Sequence, residues 1–261
     1  MADWQDDDVV AEQYADASNL AARQVLHARF SASEQSFHEW LFDRLDLPAD
    51  ASVLSLGAGS GTFWAANADR VPGGWDVTVT DAAQGMVMDA MEALADEPHE
   101  FNFDVVDATD VPYPDDAFDA VTANHVLYHL DDADRERAFA EIRRVLEPGG
   151  VLLASTNGED NLAELFDVAA EFGDVPDELG FSLQDGGDQL REHFASVERH
   201  RFDTGLRVTT HEPLVAYVLS LPGFDDGDAF ALADAFRERM DDGELAVTKD
   251  VGAFVARAAD E

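Results

Sequence analysis

The stretch from Val53 to Gly61 reads V-L-S-L-G-A-G-S-G, an apolar strand running straight into three glycines, and Asp81, twenty positions beyond Gly61, ends a second strand-like run from Asp76 to Thr80. At the tip of a parallel strand the backbone must turn sharply into a helix and leave no side chain between itself and a ligand. Glycine does this without a Cβ penalty, which gives Gly57, Gly59 and Gly61 their role. An acidic group at the tip of the neighbouring strand accepts both hydrogens of a ribose diol, the role assigned to Asp81. The pattern is therefore a nucleoside-binding one. A dinucleotide fingerprint would be G-x-G-x-x-G, whereas this chain reads G-x-G-x-G with Thr62 where the third glycine would fall, so a nicotinamide ligand is disfavoured.

The rest of the chain alternates strand and helix signals. Strand-like runs cover 53–56, 75–80, 101–106, 118–123 and 151–155. Before the fifth run, Ala138, Phe139, Ile142, Val145 and Leu146 form one helical stripe, stopped by Pro148-Gly149-Gly150. Ahead of the first, aromatic and aliphatic residues from Tyr14 to Leu45 recur at three-to-four spacing, and Pro48 closes them off. Alternation with short turns predicts a doubly wound, Rossmann-like α/β sheet. Beyond Gly158 the pattern predicts a helix over 162–172, a Gly-rich turn over 185–188, a strand over 197–202 continuing toward Val208, and a last strand within 245–255. Two helical patterns separated by Pro222-Gly223 fill 211–240. The expected division is an N-terminal helical cap, 1–47, and one large domain, 48–261, in which 209–243 is a helical insertion.

Charge narrows the function. Fifty-six acidic residues stand against 16 basic ones, a formal net charge of -40, and Lys249 is the single lysine. Repulsion of that size destabilises a compact state unless salt screens it, so the composition points to a halophile's cytoplasm. With no basic stripe to neutralise phosphates, nucleic acid is not an expected partner. No apolar run approaches a membrane-spanning length and no secretory signal pattern opens the chain, so a soluble, cytoplasmic protein is expected. The absence of cysteine excludes disulfides, thiolate metal sites and a cysteine nucleophile.

With these residues in place, the segment from Val53 to Thr156 resembles class I S-adenosylmethionine-dependent methyltransferases of the small-molecule type. The glycine loop is similar to that family's first motif, and V-T-V-T-D ending at Asp81 to its ribose-binding second strand. D-V-V-D-A-T-D-V-P-Y-P-D-D-A-F-D-A-V (Asp104 to Val121) resembles the third-strand segment, T-A-N-H-V-L-Y-H-L (Thr122 to Leu130) the fourth-strand exit, and E-I-R-R-V-L-E-P-G-G (Glu141 to Gly150) the helix and turn before strand five. The stretches Ser155 to Gly158, Glu212 to Ser220 and Thr248 to Arg257 are similar to further members. The resemblance implies a seven-stranded sheet, mostly parallel with its last strand antiparallel, and S-adenosyl-L-methionine as cofactor. It implies cofactor contacts from Gly57, Ala58, Gly59, Gly61, Asp81, Ala82, Met86, Asp107, Ala108, Asn124 through its backbone carbonyl, and His125; Tyr14 as a lid and Arg29 as a partner of the cofactor's carboxylate are candidates beside these. One residue departs from the pattern. The family carries Asp or Glu two residues before the first glycine, where it steadies the loop and the methionine end of the cofactor; here that residue is Ser55.

Methyl transfer from a sulfonium needs positioning and, for a protonated nucleophile, a nearby base. His125 is the leading candidate base, with Tyr128 and His129 behind it; the competing reading is a strand-capping histidine and two packing residues. For Tyr14, Phe30, Phe37 and Trp40 a lid competes with ordinary core packing, and for Arg29 a surface ion pair competes with a ligand contact. A metal-assisted reaction would place acids at the exits of strands four and five, which read Asn124-His125 and Thr156-Asn157, so no catalytic metal is expected. The leading expectation is methylation of a small-molecule acceptor. The alternative is a non-catalytic binder of S-adenosylmethionine or S-adenosylhomocysteine. A nicotinamide oxidoreductase would share the loop and Asp81 but leave Asp107-Ala108 and Asn124-His125 without a task.

Overall fold

The computed structural model describes residues 18–175 and 179–260. The expected sheet is present: seven strands in the order β3-β2-β1-β4-β5-β9-β6. These are β1 (Ser52–Leu56), β2 (Asp76–Asp81), β3 (Phe101–Val105), β4 (Phe118–Asn124), β5 (Leu146–Asn157), β6 (Ser196–Arg201) and β9 (Val251–Arg257). Neighbours from β3 through β5 pair in parallel, and β9 runs antiparallel to both β5 and β6. The central strands are buried on both faces, which is why they read as short apolar runs in the sequence.

Contacts group the described residues into two compact units, one drawn from Phe37–Gly158, Gly180–Arg201 and Val251–Glu261, the other from Met1–Ser36, Glu159–Leu179 and Phe202–Asp250. The first unit holds the sheet. Its helices are α2 (Phe37–Phe42), α3 (Thr62–Ala65), α4 (Gln84–Leu94), α5 (Asp132–Val145) and α7 (Gly186–Arg191). The α5 helix starts on Asp131, whose carboxylate accepts the Asp134 amide at 2.7 Å, and its stripe of Phe139, Ile142 and Val145 is fully buried against Leu54, Val121 and Leu152. Burial of each such side chain contributes roughly 1.5–3 kcal/mol.

The second unit contains α1 (Ser18–Phe30), α6 (Ala163–Ala169), α8 (Glu212–Leu219), α9 (Ala229–Arg239) and an antiparallel pair, β7 (Thr204–Val208) with β8 (Leu245–Lys249). The helical segment expected at 209–243 therefore hangs from that pair, with α8 and α9 joining Leu165, Val168, Leu206 and Val247 in a separate core. Within it the Lys249 amine is pushed down to about 8 by burial, and the His27 ring to about 3 by burial and then by the Lys249 charge.

Four local expectations are corrected. The Gly-rich stretch at 185–188 opens helix α7 instead of forming a turn; a Cβ on Gly186 would lie 2.7 Å from the Phe181 ring, so the glycine serves close packing. The single last strand expected within 245–255 is two strands in different sheets, β8 and β9, parted at buried Asp250. Likewise the run expected to continue from Val197 toward Val208 breaks after Arg201, and β7 leaves for the second sheet. The N-terminal helical run is also interrupted, because Ala32 donates its amide to the Gly205 carbonyl at 2.9 Å and Ser31 bridges to Leu206, drawing the chain onto β7. Among the described residues no helix is long and apolar enough to cross a membrane.

Candidate functional site

Strand order reverses between β1 and β4, and in open α/β sheets ligands bind outside the carboxyl ends of the strands at such a point. The glycine loop sits there. Gly57 has φ of 59°, and a Cβ on it would lie 2.4 Å from Cγ2 of Val126, so both backbone and space demand glycine. Gly59, at φ 55°, is different: a Cβ there would meet nothing within 4 Å, leaving an open cradle above the loop.

Asp81, at the end of β2, ties this loop to its own strand. Its Oδ2 accepts the Gly59 amide and its Oδ1 the Ala83 amide, each at 2.9 Å, while the Ala58 amide reaches the Thr80 carbonyl at 2.8 Å. Burial pushes the Asp81 carboxyl above its ordinary value, and the two amide donors pull it back. Ala82 is exposed just beyond, and Met86 is buried one turn into α4. After β3, Val106 donates to the Asp81 carbonyl at 3.0 Å. Asp107 is exposed and caps its own turn, one carboxylate oxygen accepting the Thr109 amide and hydroxyl at 2.8 Å. Ala108 packs on the core. That segment is pinned from α5: the Arg144 guanidinium donates to the Val111 and Tyr113 carbonyls at 2.8 Å, and the Glu141 carboxylate accepts the Val111 amide at 2.9 Å. Hydrogen bonds from Arg144 hold the Glu141 carboxyl below its ordinary value.

The exit of β4 supplies the remaining groups. Asn124 ends the strand with its side-chain Oδ1 buried and without a hydrogen-bond partner among the described residues. His125 then turns at φ 58°, unusual for a side chain of this size, and its amide donates to the Ser155 carbonyl of β5 at 3.0 Å. The His125 ring lies 5.6 Å from Phe37 and 6.0 Å from Tyr128, and the rings of Tyr128 and His129 are 4.4 Å apart. An imidazole, a phenol and a phenyl ring thus share one neighbourhood beside the loop.

Of the residues expected in the site, the glycine loop, Asp81, Ala82, Met86, Asp107, Ala108, Asn124, His125, Tyr128 and His129 all lie within the sheet-bearing unit. Arg29 belongs to the other unit, exposed in the last turn of α1 with its guanidinium 5.4 Å from the Phe30 ring. Tyr14 lies outside the described residues. Of the aromatic candidates for a lid, Phe30 and Trp40 are buried, Trp40 stacked on Phe37 at 5.6 Å. Val126 and Ser155 lie in stretches that the sequence singled out but were given no role there; their roles come from contacts with the glycine loop and with the His125 amide. Among the described residues no group of three or more His, Asp or Glu side chains is arranged to hold a metal ion.

Residues 53–150 match a family model described as a methyltransferase domain. Over 116 residues the chain is 34% identical to "Methyltransferase GfsG" of Streptomyces halstedii, covering 44% of this chain and 40% of that protein. Over 139 residues it is 34% identical to a malonyl-[acyl-carrier protein] O-methyltransferase of Methylovorus, covering 51% and 46%. The chain thus spans less than half the length of these relatives. Among solved structures, the [4+2]-cyclase SpnF superposes with a TM-score of 0.60 over 98% of this chain and 97% of its own, at 22% identity, a likeness of fold.

Proposed function

We propose, from the match of residues 53–150 to a methyltransferase-domain model and from the seven-stranded sheet they help to form, that this protein transfers a methyl group from S-adenosylmethionine to a small-molecule acceptor. The observation that carries the reading is the Asp81 carboxylate locked by backbone amides beside a glycine loop whose Gly59 opens onto free space. When bound, S-adenosylmethionine supplies a methyl group on a positively charged sulfur. The residues present fit such a ligand. Asp81 retains lone pairs for a ribose diol, the open space beside Gly59 leaves room for the chain of the methionine, and the Asn124 Oδ1 is a buried acceptor without a donor among the described residues. Ala82, Met86, Asp107 and Ala108 line the adenine side. His125 takes the acceptor's proton where there is one, with Tyr128 and His129 orienting it.

The net charge supports a small metabolite over a nucleic acid, and a salt-rich cytoplasm as the setting. The second reading, a binder without turnover, is favoured by one observation. Ser55, in place of the usual acid, is 3% exposed and spends its hydroxyl on accepting Thr122 Oγ1 at 3.0 Å.

Calorimetry in about 2 M KCl, where charge is well screened, tests the proposal. Micromolar binding of S-adenosylmethionine and S-adenosylhomocysteine with no response to NAD is expected; binding of NAD alone would replace this function with an oxidoreductase. Methylated product from an acceptor panel then separates enzyme from binder. In the same assay Asp81→Ala is expected to weaken cofactor binding by about 1–3 kcal/mol through loss of a charge-assisted pair of hydrogen bonds. Unchanged affinity would remove Asp81 from the site.

A further inference from the structure

Arg135 sits in the first turn of α5 and is 4% exposed, yet the carboxylate it meets, that of Asp132 three residues earlier, is 95% exposed. Its other hydrogen bonds go to neutral oxygens. One terminal nitrogen reaches back to the Leu130 carbonyl at 2.7 Å, and Nε donates to Oε1 of Gln189, 54 residues along the chain on α7, at 2.8 Å. Burying a guanidinium on these terms adds little stability over an apolar side chain of the same volume, since a counter-charge lying in solvent does not repay the lost hydration. What a planar fork does add is direction: two oxygens on different segments are held at a fixed separation and angle.

Both held segments lead to the carboxyl ends of sheet strands. Leu130 directly follows the short 3-10 turn Leu127–His129 at the exit of β4, where the rings of Tyr128 and His129 lie 4.4 Å apart and Tyr128 meets His125 at 6.0 Å. On the other side, the Gln189 amide donates to the Gly180 carbonyl at 3.0 Å and to the Asp185 carboxylate at 3.1 Å. Asp185 in turn accepts the Ser182 amide and hydroxyl, each at 2.7 Å. The stretch 180–185 lies along the end of β5: Thr156 donates its hydroxyl to the Phe181 carbonyl at 2.6 Å, and the Leu183 amide donates to the Asn157 carbonyl at 3.0 Å. Donors and acceptors match only one way round of the Gln189 amide. Turned over, its NH2 would face the Arg135 Nε–H and its oxygen the Gly180 carbonyl.

We propose that Arg135 and Gln189 are positioning residues, a brace across the carboxyl edge of the sheet that sets Tyr128 and His129 relative to the exit of β5. The inference rests on the reading of His125, Tyr128 and His129 as the groups that handle the acceptor, and deepens it. A proton passes only within hydrogen-bond reach, and misplacing a catalytic group by about 1 Å costs up to about a hundredfold in rate. A 3-10 turn is a weak support for such groups, because its internal hydrogen bonds have poor geometry; here the His129 amide reaches the Val126 carbonyl at 2.9 Å. The anchor at Leu130 supplies from α5 and α7 the rigidity that the turn itself lacks.

The test compares Arg135→Met, Arg135→Lys and Gln189→Leu with wild-type protein in about 2 M KCl, without ligand, by NMR of ring-labelled histidine. Arg135→Met and Gln189→Leu are each expected to shift the His129 ring signal and, through Tyr128, that of His125, while His27 and His99 keep their wild-type positions. Arg135→Lys, which keeps the charge but reaches one oxygen where the fork reaches two, is expected to shift the same signals. A chain carrying both Arg135→Met and Gln189→Leu is expected to move them no further than either alone, because each substitution breaks the same link. Gln189 is half-buried, so Gln189→Leu folds and decides the matter even if Arg135→Met does not fold. Unchanged His125 and His129 signals, or equal movement of every histidine, overturn the brace whatever the change in melting temperature. With an acceptor that turns over, the same variants are expected to lower kcat about tenfold or more while KM for S-adenosylmethionine stays within about twofold; an unchanged kcat overturns the positioning role. Wild-type protein that methylates no acceptor overturns the proposed function, and the brace is then decided by the ring signals, which need no substrate.

Discussion

Replacing Gly57 by alanine is expected to lower the unfolding free energy by about 2–5 kcal/mol and to abolish measurable cofactor binding. Two physical costs combine. The residue sits at φ 59°, where a side chain costs about 1–2 kcal/mol. The new methyl group would also begin 2.4 Å from Cγ2 of Val126, and relieving such overpacking costs about 1–3 kcal/mol more. Valine is stiff at χ1, so the contact is not relieved by rotating a flexible side-chain end; the loop or the β4 exit must shift, and both belong to the site. The two costs can be separated in urea titrations at constant KCl. Adding Val126→Ala to Gly57→Ala is expected to restore the overpacking part and leave the backbone part. A Gly57→Ala protein as stable as wild type would show that neither the turn nor the contact is as described. Gly59→Ala, with open space around its Cβ, is expected to cost only the backbone part.

The second large effect is electrostatic. Lowering KCl from about 2 M to about 0.1 M lengthens the Debye length from near 2 Å to about 10 Å, so acids now hidden from one another begin to repel. Local pairing cannot offset this. Several arginines are paired with an acid three residues earlier on the same helix, as Arg144 with Glu141 and Arg237 with Asp234, and surface pairs of this kind contribute well under 1 kcal/mol each. Even with every basic residue paired, 40 acidic charges are left over. A loss of about 5 kcal/mol, comparable with the whole margin of many domains, lowers the melting midpoint of a chain this long by roughly 10–20 °C. Circular dichroism across a KCl series measures it. A midpoint that moves by less than about 3 °C would mean that the acidic surface is not a salt adaptation. Sucrose at matched osmolarity, which does not screen charge, is expected to restore less of the midpoint than KCl.

Much of the fold could be read from local pattern. The first four strands begin and end within a residue of their expected limits, because strands covered on both faces must be apolar and their ends are punctuated by glycine, proline and acids. The α5 stripe was legible for the same reason, one face of a helix being committed to the core. The candidate site was legible where chemistry is written into a motif: the glycine loop, Asp81 and the β4 exit. Reading failed where pairing is non-local. The polar strand Ser196–Arg201 is followed closely by β7, and nothing in the local sequence says that the two join different sheets; the same is true of β8 and β9 on either side of Asp250. The glycines at 185–188 look like a turn until Phe254, from distant β9, packs against Gly187.

The sequence by itself determined the strand and helix succession, the glycine turn, the acid at the second strand tip and the excess of negative charge, since each depends on residues adjacent in the chain or on composition alone. Only the tertiary structure decided that Val126 makes Gly57 obligatory, that Phe37 meets His125, and that Asn124 and Ser155 are register partners on neighbouring strands. Those facts depend on distances between atoms that lie far apart along the chain, and such distances are fixed only when the sheet registers are set and the core has packed.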